Sequence, residues 1–339
     1  MGNVATPVRP ATDWQPAGLI ARLRRSQLGG LSTLGPLVAL LVAIGVFGTL
    51  SERFLRPDNL TIIVEQVMVV GTLAVGQTLV ILTGGIDLSN GAIMVFATIL
   101  MAKLAVAQGL AVPLAIASGL LAAGALGAIN GLLATRLRLP PFIVTLGMLN
   151  IVLSLTLLYS GGSSVVRLPQ DLLWLGGRFE LGGALITYGS VLMLAIFAVA
   201  WYALKQTAWG VHVYAIGNNV EAARLSGIRV NRHLLAVYAS GGVIYGVAGL
   251  MLLGRVTVAD PLGGQTSNLD SITAVVIGGT SLFGGRGSVL NTLIGALIVG
   301  VLRNGLTLVG IDALYQTLAT GVLVIVAVAV DQFARRQSG

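Results

Sequence analysis

Ten apolar stretches separated by short polar breaks limit what this chain can become. They cover residues 29–50, 60–83, 90–109, 112–134, 141–160, 183–204, 234–256, 271–285, 288–309 and 312–332. A bilayer core about 30 Å thick needs roughly 20 apolar residues in a helix, and most of these stretches reach that length. Only 9% of the 339 residues are charged, whereas a soluble domain carries about a quarter. So few charges cannot cover a globular surface, so lipid is the solvent for most of the chain. The expected fold is an all-α polytopic membrane protein of about ten transmembrane helices. The eighth stretch is short and broken by glycines, which predicts a re-entrant or discontinuous segment. The first stretch exceeds the roughly 7–15 apolar residues of a signal peptide and is read as a span. A polar tail over 1–28, a membrane domain over 29–333 and a short tail over 334–339 complete the expected organisation.

Composition excludes several classes. With no cysteine, thiolate metal sites and cysteine nucleophiles are absent. His212 and His233 are the two histidines. They share one polar loop without a carboxylate cluster, so no metal site is expected. No catalytic constellation and no cofactor motif stands out. The two lysines, Lys103 and Lys205, are followed by Leu104 and Gln206. A Walker A phosphate cradle, which needs Gly-Lys-Ser/Thr, is therefore missing.

The net charge of +8 need not mean nucleic acid, because the basic residues fall in short loops between apolar runs. Ten crossings with the amino end inside place Arg9, Arg22, Arg24, Arg25, Arg136, Arg138, Lys205, Arg224, Arg229, Arg232, Arg286, Arg335 and Arg336 in the cytoplasm. Arg53, Arg56, Arg167, Arg178 and Arg255 then face outward. The 13 to 5 ratio counted from these positions follows the positive-inside rule. Both termini are expected to be cytoplasmic in a bacterial inner membrane.

Two glycine-rich interruptions suggest an internal repeat. Leu82-Thr83-Gly84-Gly85-Ile86-Asp87-Leu88-Ser89 parts the second and third stretches, and Ile277 to Gly285 interrupts the second half. Paired interruptions of this kind mark transporters built from two halves with broken helices. The competing reading is that glycine is common here, at 46 residues, and serves tight helix packing.

The largest inside loop spans 205–233. In it, Asn218 is suited to cap a short helix, Glu221 stands three residues on as in a capping box, and Gly227 fits the C′ position. The small residues Ala222, Ala223 and Ser226 would let such a helix seat in a groove of another protein. An ordinary capped surface helix explains the same local pattern.

Polar residues within spans are costly and mark functional candidates. Asp87 either binds substrate hydroxyls or caps the next half-helix, and the cap is the preferred reading. Gln66, Gln77, Asn130, Asn150 and Asn304 offer neutral hydrogen-bonding groups, with interhelical contact as the equal alternative. Ser89, Thr145, Gly278 and Gly279 join Asp87, Gln77, Asn130, Asn150 and Asn304 as candidates for a translocation path. Glu65 and Lys103 are candidates to pair with each other. Arg303 has Asp270 or Asp312 as its candidate partner.

Four blocks carry a resemblance. Trp209-Gly210, Tyr214 to Asn219 and Glu221 to Ile228 form the first. Gly84 to Ser89 is the second and Pro141 to Met148 the third. Gly278 to Ser281 with Gly284 to Gly287 is the fourth. Taken along the chain, they come in the order of, and resemble, the ribose/xylose/arabinose-type permeases of bacterial ABC importers, from the second stretch onward. His212 departs from the arginine that the resemblance leads one to expect. The resemblance implies a membrane subunit that moves a monosaccharide from periplasm to cytoplasm. It implies an ABC ATPase, as two copies or a fused pair, docked on Gly217, Asn218, Asn219, Glu221, Ala222, Ala223, Arg224 and Gly227. It also implies a periplasmic sugar-binding protein and a second permease chain, in a lipid bilayer and without nucleic acid. A permease for branched-chain amino acids or a sugar-derived signal is the alternative within the class. An ion-coupled carrier is a weaker one, since Glu65 and Asp87 alone make a thin relay.

Overall fold

A computed structural model describes residues 17–182, 184–264 and 266–336. Among them the chain is helical apart from one hairpin and two short 3-10 turns at 170–172 and 174–176. The helices are α1 (Ala17–Leu50), α2 (Pro57–Leu82), α3 (Asn90–Val106), α4 (Val112–Arg136), α5 (Pro141–Ser160) and α6 (Tyr188–Gln206). They continue with α7 (Ala208–Asn218), α8 (Val220–Leu225), α9 (Val230–Val256), α10 (Ser267–Ile277), α11 (Val289–Leu308) and α12 (Ala313–Arg336). Strands β1 (Arg178–Leu181) and β2 (Ala184–Thr187) pair antiparallel, with Phe179 opposite Ile186. Six of the described helices, α2, α4, α5, α6, α9 and α11, are long and apolar enough to cross a membrane. α3 and α10 are apolar but shorter.

Helix starts follow local chemistry. Proline stands in the first turn of α2, α4 and α5, where its missing N–H costs nothing. Thr187 caps α6 by accepting from the Ser190 amide at 3.2 Å. Residues 17–28, expected as polar tail, instead continue α1 towards its start at Ala17. Ala, Leu and Arg in this stretch are good helix formers. Residues 1–16, including Arg9, and the last three residues of the 334–339 tail lie outside the described residues; α12 continues to Arg336.

The long helices define two ends. The basic end gathers the C-termini of α2, α4 and α6, the helices α7 and α8, and the 278–288 loop, with Arg136, Lys205, Arg229 and Arg286 among them. The hairpin end holds the hairpin, the 51–56 turn and the 257–266 segment, where Val165 bridges Ala259. Large apolar side chains line the periphery, such as Leu121 at 73% and Leu158 at 80% exposure. Polar ones, including Gln77, Asn90 and Asn130, are fully buried. Lipid as solvent accounts for that inversion.

The contacts between helices reveal two inverted halves. Antiparallel α2 and α9 pack together at the centre. α3 packs on α4, α5 and α9, while α10 packs on α11, α12 and α2. α4 lies along α9 as α11 lies along α2. At the α4–α9 crossing Gly242 faces the backbone of Ala123 and Gly124, and side chains there would push the helices apart. α2 and α9 run in opposite directions, so the halves are related by inversion, a common plan in transporters.

This corrects the pairing of glycine-rich interruptions. The 82–89 and 277–285 stretches are not counterparts: both lie at the basic end, where the Gly285 amide donates to Leu82 O at 2.9 Å. The counterpart of the segment leading into α3 is 257–266, which leads into α10. The two segments arrive from opposite ends and meet. Asn90 Nδ2 donates to Ser271 Oγ at 2.8 Å, and Asn268 Nδ2 to Leu88 O at 3.3 Å. α10 is only about 16 Å long at 1.5 Å per residue. It is therefore a half-span, as the shortness of the eighth stretch predicts.

Candidate coupling module and membrane path

Two sites hold the residues singled out in the sequence. The first is the α7–α8 module at the basic end. Thr207 Oγ1 accepts from the Gly210 amide at 3.3 Å and donates to Ala203 O at 2.6 Å, fixing the turn from α6 into α7. Gly217 lies against Leu82 O and the Gly285 amide, with no room for a Cβ. Tyr214 Oη donates to Gly287 O at 3.0 Å, and burial pushes its phenol above the usual value, keeping it a donor. The module therefore rests directly on the end of α2 and on the loop before α11.

The cap of α8 is Asn219, one residue later than expected. The Asn219 amide bonds Ala215 O at 3.0 Å, which keeps Asn218 inside α7. Asn219 is then the first extended residue, and its Oδ1 accepts from the Ala222 amide at 2.9 Å. Glu221 consequently falls one place short of a capping box and pairs with Arg224 at 3.0 Å. Gly227 has φ +84° and its amide bonds Arg224 O, the left-handed closing residue expected there. Ala223 packs on Ile216 and Val230 in a small core. Ala222, Glu221, Arg224 and Leu225 face outward, Leu225 at 88% exposure.

His212, the departure from the resemblance, bonds His233 at 2.9 Å. His233 Nδ1 sits 3.1 Å from Arg229 O and so donates to it; its Nε2 then accepts from His212. The bond ties α7 to the first turn of α9.

The second site is a buried polar network where the segments before α3 and α10 meet. Asp87 Oδ1 accepts from the Ser89 amide at 2.9 Å and Ser89 Oγ at 2.6 Å. Asn130 of α4 donates to Ser89 Oγ at 2.9 Å. Gln77 of α2 lies 3.0 Å from the Asn90 amide nitrogen, and with its amide turned over it bonds the Asp87 backbone. Thr145 of α5 donates to Ile86 O at 2.9 Å. Asp87 is fully buried, and the buried Tyr238 and Tyr245 side chains of α9 stand beside it. The bonded Asp87 oxygen closes a turn onto the Ser89 amide; Ser89, and not Asp87, holds the N-cap position of α3, and no side chain caps that helix.

Not every candidate joins this network. Asn150 is exposed on α5 and lines a cavity of about 270 Å3 with Gly91, Val95, Pro261 and Asn268. Asn304 is paired at both ends of its amide with Asn59, at 2.9 Å each way, away from that cavity. Gly278 and Gly279 follow α10 at the basic end. Sequence reasoning missed Asn268, Asn90, Tyr238 and Tyr245. The Pro261-Leu262-Gly263-Gly264 run was the available signal for Asn268, since it breaks the helix just before it.

The expected ion pairs are partly redistributed. Glu65 pairs with Arg178 of β1 at 2.8 Å rather than with Lys103, which donates to Tyr159 O at 2.6 Å. The hairpin folds over α2 and brings Arg178 closer than a neighbouring span can. Arg303 pairs with Asp270 at 2.7 Å, while Asp312 accepts from the Leu314 amide at 2.8 Å.

Residues 59–328 match the family described as branched-chain amino acid transport system / permease component. The chain is 45% identical over 309 residues to the fructose import permease protein of Rhizobium meliloti, covering 89% of this chain and 85% of that one. It is 40% identical over 306 residues to the ribose import permease protein of Bacillus subtilis, with 90% and 94% covered. Identity to the L-arabinose ABC transporter permease protein of Azospirillum brasilense is 33% over 337 residues, with 99% and 98% covered. With a module resting on the ends of α2 and α11 and broken helices meeting within an apolar bundle, this chain belongs to the branched-chain amino acid transport system permease family, as a multi-pass membrane transport subunit.

Proposed function

We propose that this chain is the membrane-spanning subunit of an ATP-driven importer that carries a monosaccharide from periplasm to cytoplasm. The observation that carries this reading is near full-length similarity to permeases named for fructose, ribose and arabinose. Ten crossings with both termini cytoplasmic fit the 13 to 5 split of basic residues. The basic end then faces a cytoplasmic ATPase and the hairpin end receives a periplasmic binding protein.

The α7–α8 module is the docking site for the ATPase. Outside the membrane, an exposed Leu225 beside Ala222 and the Glu221–Arg224 pair forms an apolar tip with a charged rim, the pattern of a contact surface. A push on α8 passes through Gly217 to Leu82 and to the 284–285 turn without a flexible intermediary. The translocation path follows α5 and the 257–266 segment. Irregular backbone at membrane depth is tolerated where it is buried or lines a watery cavity. Pro261 and Gly264 line the cavity that Asn150 and Asn268 face. A second permease chain closes this face, and the two chains rock to expose the path to each side in turn.

Reconstitution with the cognate ATPase and binding protein tests the reading. Sugar uptake into vesicles that needs all three proteins and ATP supports it. Uptake by the chain alone, driven by an ion gradient, overturns it.

A further inference from the structure

The backbone between α2 and α3 is held from three helices at three successive carbonyls. Ile86 O accepts from Thr145 of α5 at 2.9 Å, and Asp87 O from the turned-over Gln77 amide of α2 at 3.0 Å. Leu88 O accepts from Asn268 Nδ2 of α10 at 3.3 Å. The first two are of ordinary length and the third is just beyond it. Asn268 also differs in where it stands. It lines the cavity of about 270 Å3, and Thr145 and Gln77 do not. Its carboxamide has two N–H donors and one oxygen. The oxygen accepts from the Leu269 amide at 2.9 Å and one N–H serves Leu88, which leaves the second N–H for a guest in the cavity. The close approach of α3 and α10 here depends on Gly91, where a Cβ would stand 3.1 Å from the Asn268 backbone nitrogen and 3.2 Å from Gly264 O.

The other end of the same stretch is fixed on the docking module. Leu82 O accepts from the Gly285 amide at 2.9 Å and lies against Gly217 of α7. Five residues separate Leu82 from Leu88. We propose that Asn268 is a positioning residue through which cargo in the cavity acts on the docking module. A cargo hydroxyl and Leu88 O compete for the orientation of one planar carboxamide. The contact to Leu88, the longest of the three, shifts when the cavity fills, and the 83–88 stretch carries the shift to Leu82 and Gly217. Contiguous contacts with two arrangements are what such coupling requires. Asn150 lines the same cavity, but its Nδ2 bonds Leu146 O of its own helix at 3.2 Å, so it can grip cargo without reporting it. The inference rests on the import function proposed for this chain.

The test reconstitutes the full chain in vesicles with its ATPase and binding protein, using radiolabelled fructose as the probe. ATP hydrolysis is compared with loaded and with empty binding protein. Asn268→Asp keeps the oxygen for the Leu269 amide and removes both N–H donors. It should lower the loaded-to-empty ratio about fivefold, the effect of one lost hydrogen bond. Asn268→Gln keeps the donors and should retain part of the ratio. Gly91→Ala, which pushes the Asn268 backbone away without a polar change, should lower it too. Asn150→Ala should cut uptake with a smaller loss of the ratio. Thermal unfolding and ATPase co-purification of each variant separate lost coupling from misfolding and from lost docking. A parent that imports nothing with all three proteins and ATP overturns the import function, and this inference with it. A parent that imports, with the same ratio in Asn268→Asp and Gly91→Ala, overturns this inference alone. So does an equal loss of the ratio in Asn150→Ala and Asn268→Asp, which would make both plain cargo contacts.

Discussion

The α7–α8 module and the Asp87 network use similar residue types, Asn, Ser and an acidic side chain, to opposite ends. In the module, Asn219 and Ser226 bond backbone within four residues of themselves, and Glu221 meets Arg224 in the open. In the network, Gln77, Asn90, Asn130 and Ser271 come from four helices and are fully buried. The difference lies in what each interaction replaces. An exposed pair exchanges water for a partner at little gain, whereas a buried group that loses its partner bears the whole cost of desolvation. The module can therefore be reshaped for a partner while the centre cannot.

The largest effect should come from the buried ion pair between α10 and α11, next to that network. Arg303→Ala leaves the Asp270 carboxylate, only 2% exposed, without its counter-charge. A loss of about 3–5 kcal/mol is expected, read as a lower thermal unfolding temperature in detergent. An unchanged unfolding temperature would mean that Asp270 does not depend on the pair. Gly217→Val comes next, at about 1–3 kcal/mol of overpacking against Leu82 and Gly285. Uptake should fall with it, because the module can no longer seat; normal uptake would disconnect the module from α2. Asn219→Ala removes one cap, about 1 kcal/mol. ATPase co-purification should weaken while bundle unfolding stays put. The reverse pattern would remove the contrast drawn between the two regions.

Asp87→Asn sharpens the comparison from within the network. Asn keeps an oxygen for the turn onto the Ser89 amide, so most uptake should survive. A folded but inactive Asp87→Asn protein would make the carboxylate a participant and not just a turn-former. The smallest stability change is expected for Glu221→Gln, within about 0.5 kcal/mol for an exposed pair. Any fall in ATPase binding would then report the docking contact itself.

Much of this fold is legible along the chain. Pro57, Pro113 and Pro141 announce three helix starts, Gly227 announces a helix end, and the shortness of the eighth stretch announces a half-span. The module was found within one residue, the error being Asn218 for Asn219. Such features depend on backbone geometry over four or five residues, which local sequence controls. The network was found only as scattered members, Asp87, Ser89, Gln77, Asn130 and Thr145. Nothing near Asn90 or Tyr245 in sequence tells that they share a centre with residues more than 40 positions away.

Apolar length, read from the sequence alone, determined that the chain is a helical multi-pass membrane protein, and the polar breaks located its α7–α8 module. Those follow from transfer of side chains between water and lipid, a property each segment carries independently. The tertiary structure alone decided that 257–266 mirrors 83–89, that Glu65 belongs to Arg178 and that Asn304 belongs to Asn59. In lipid every polar group needs a partner inside the protein, and which partner it gets is settled only when the helices pack.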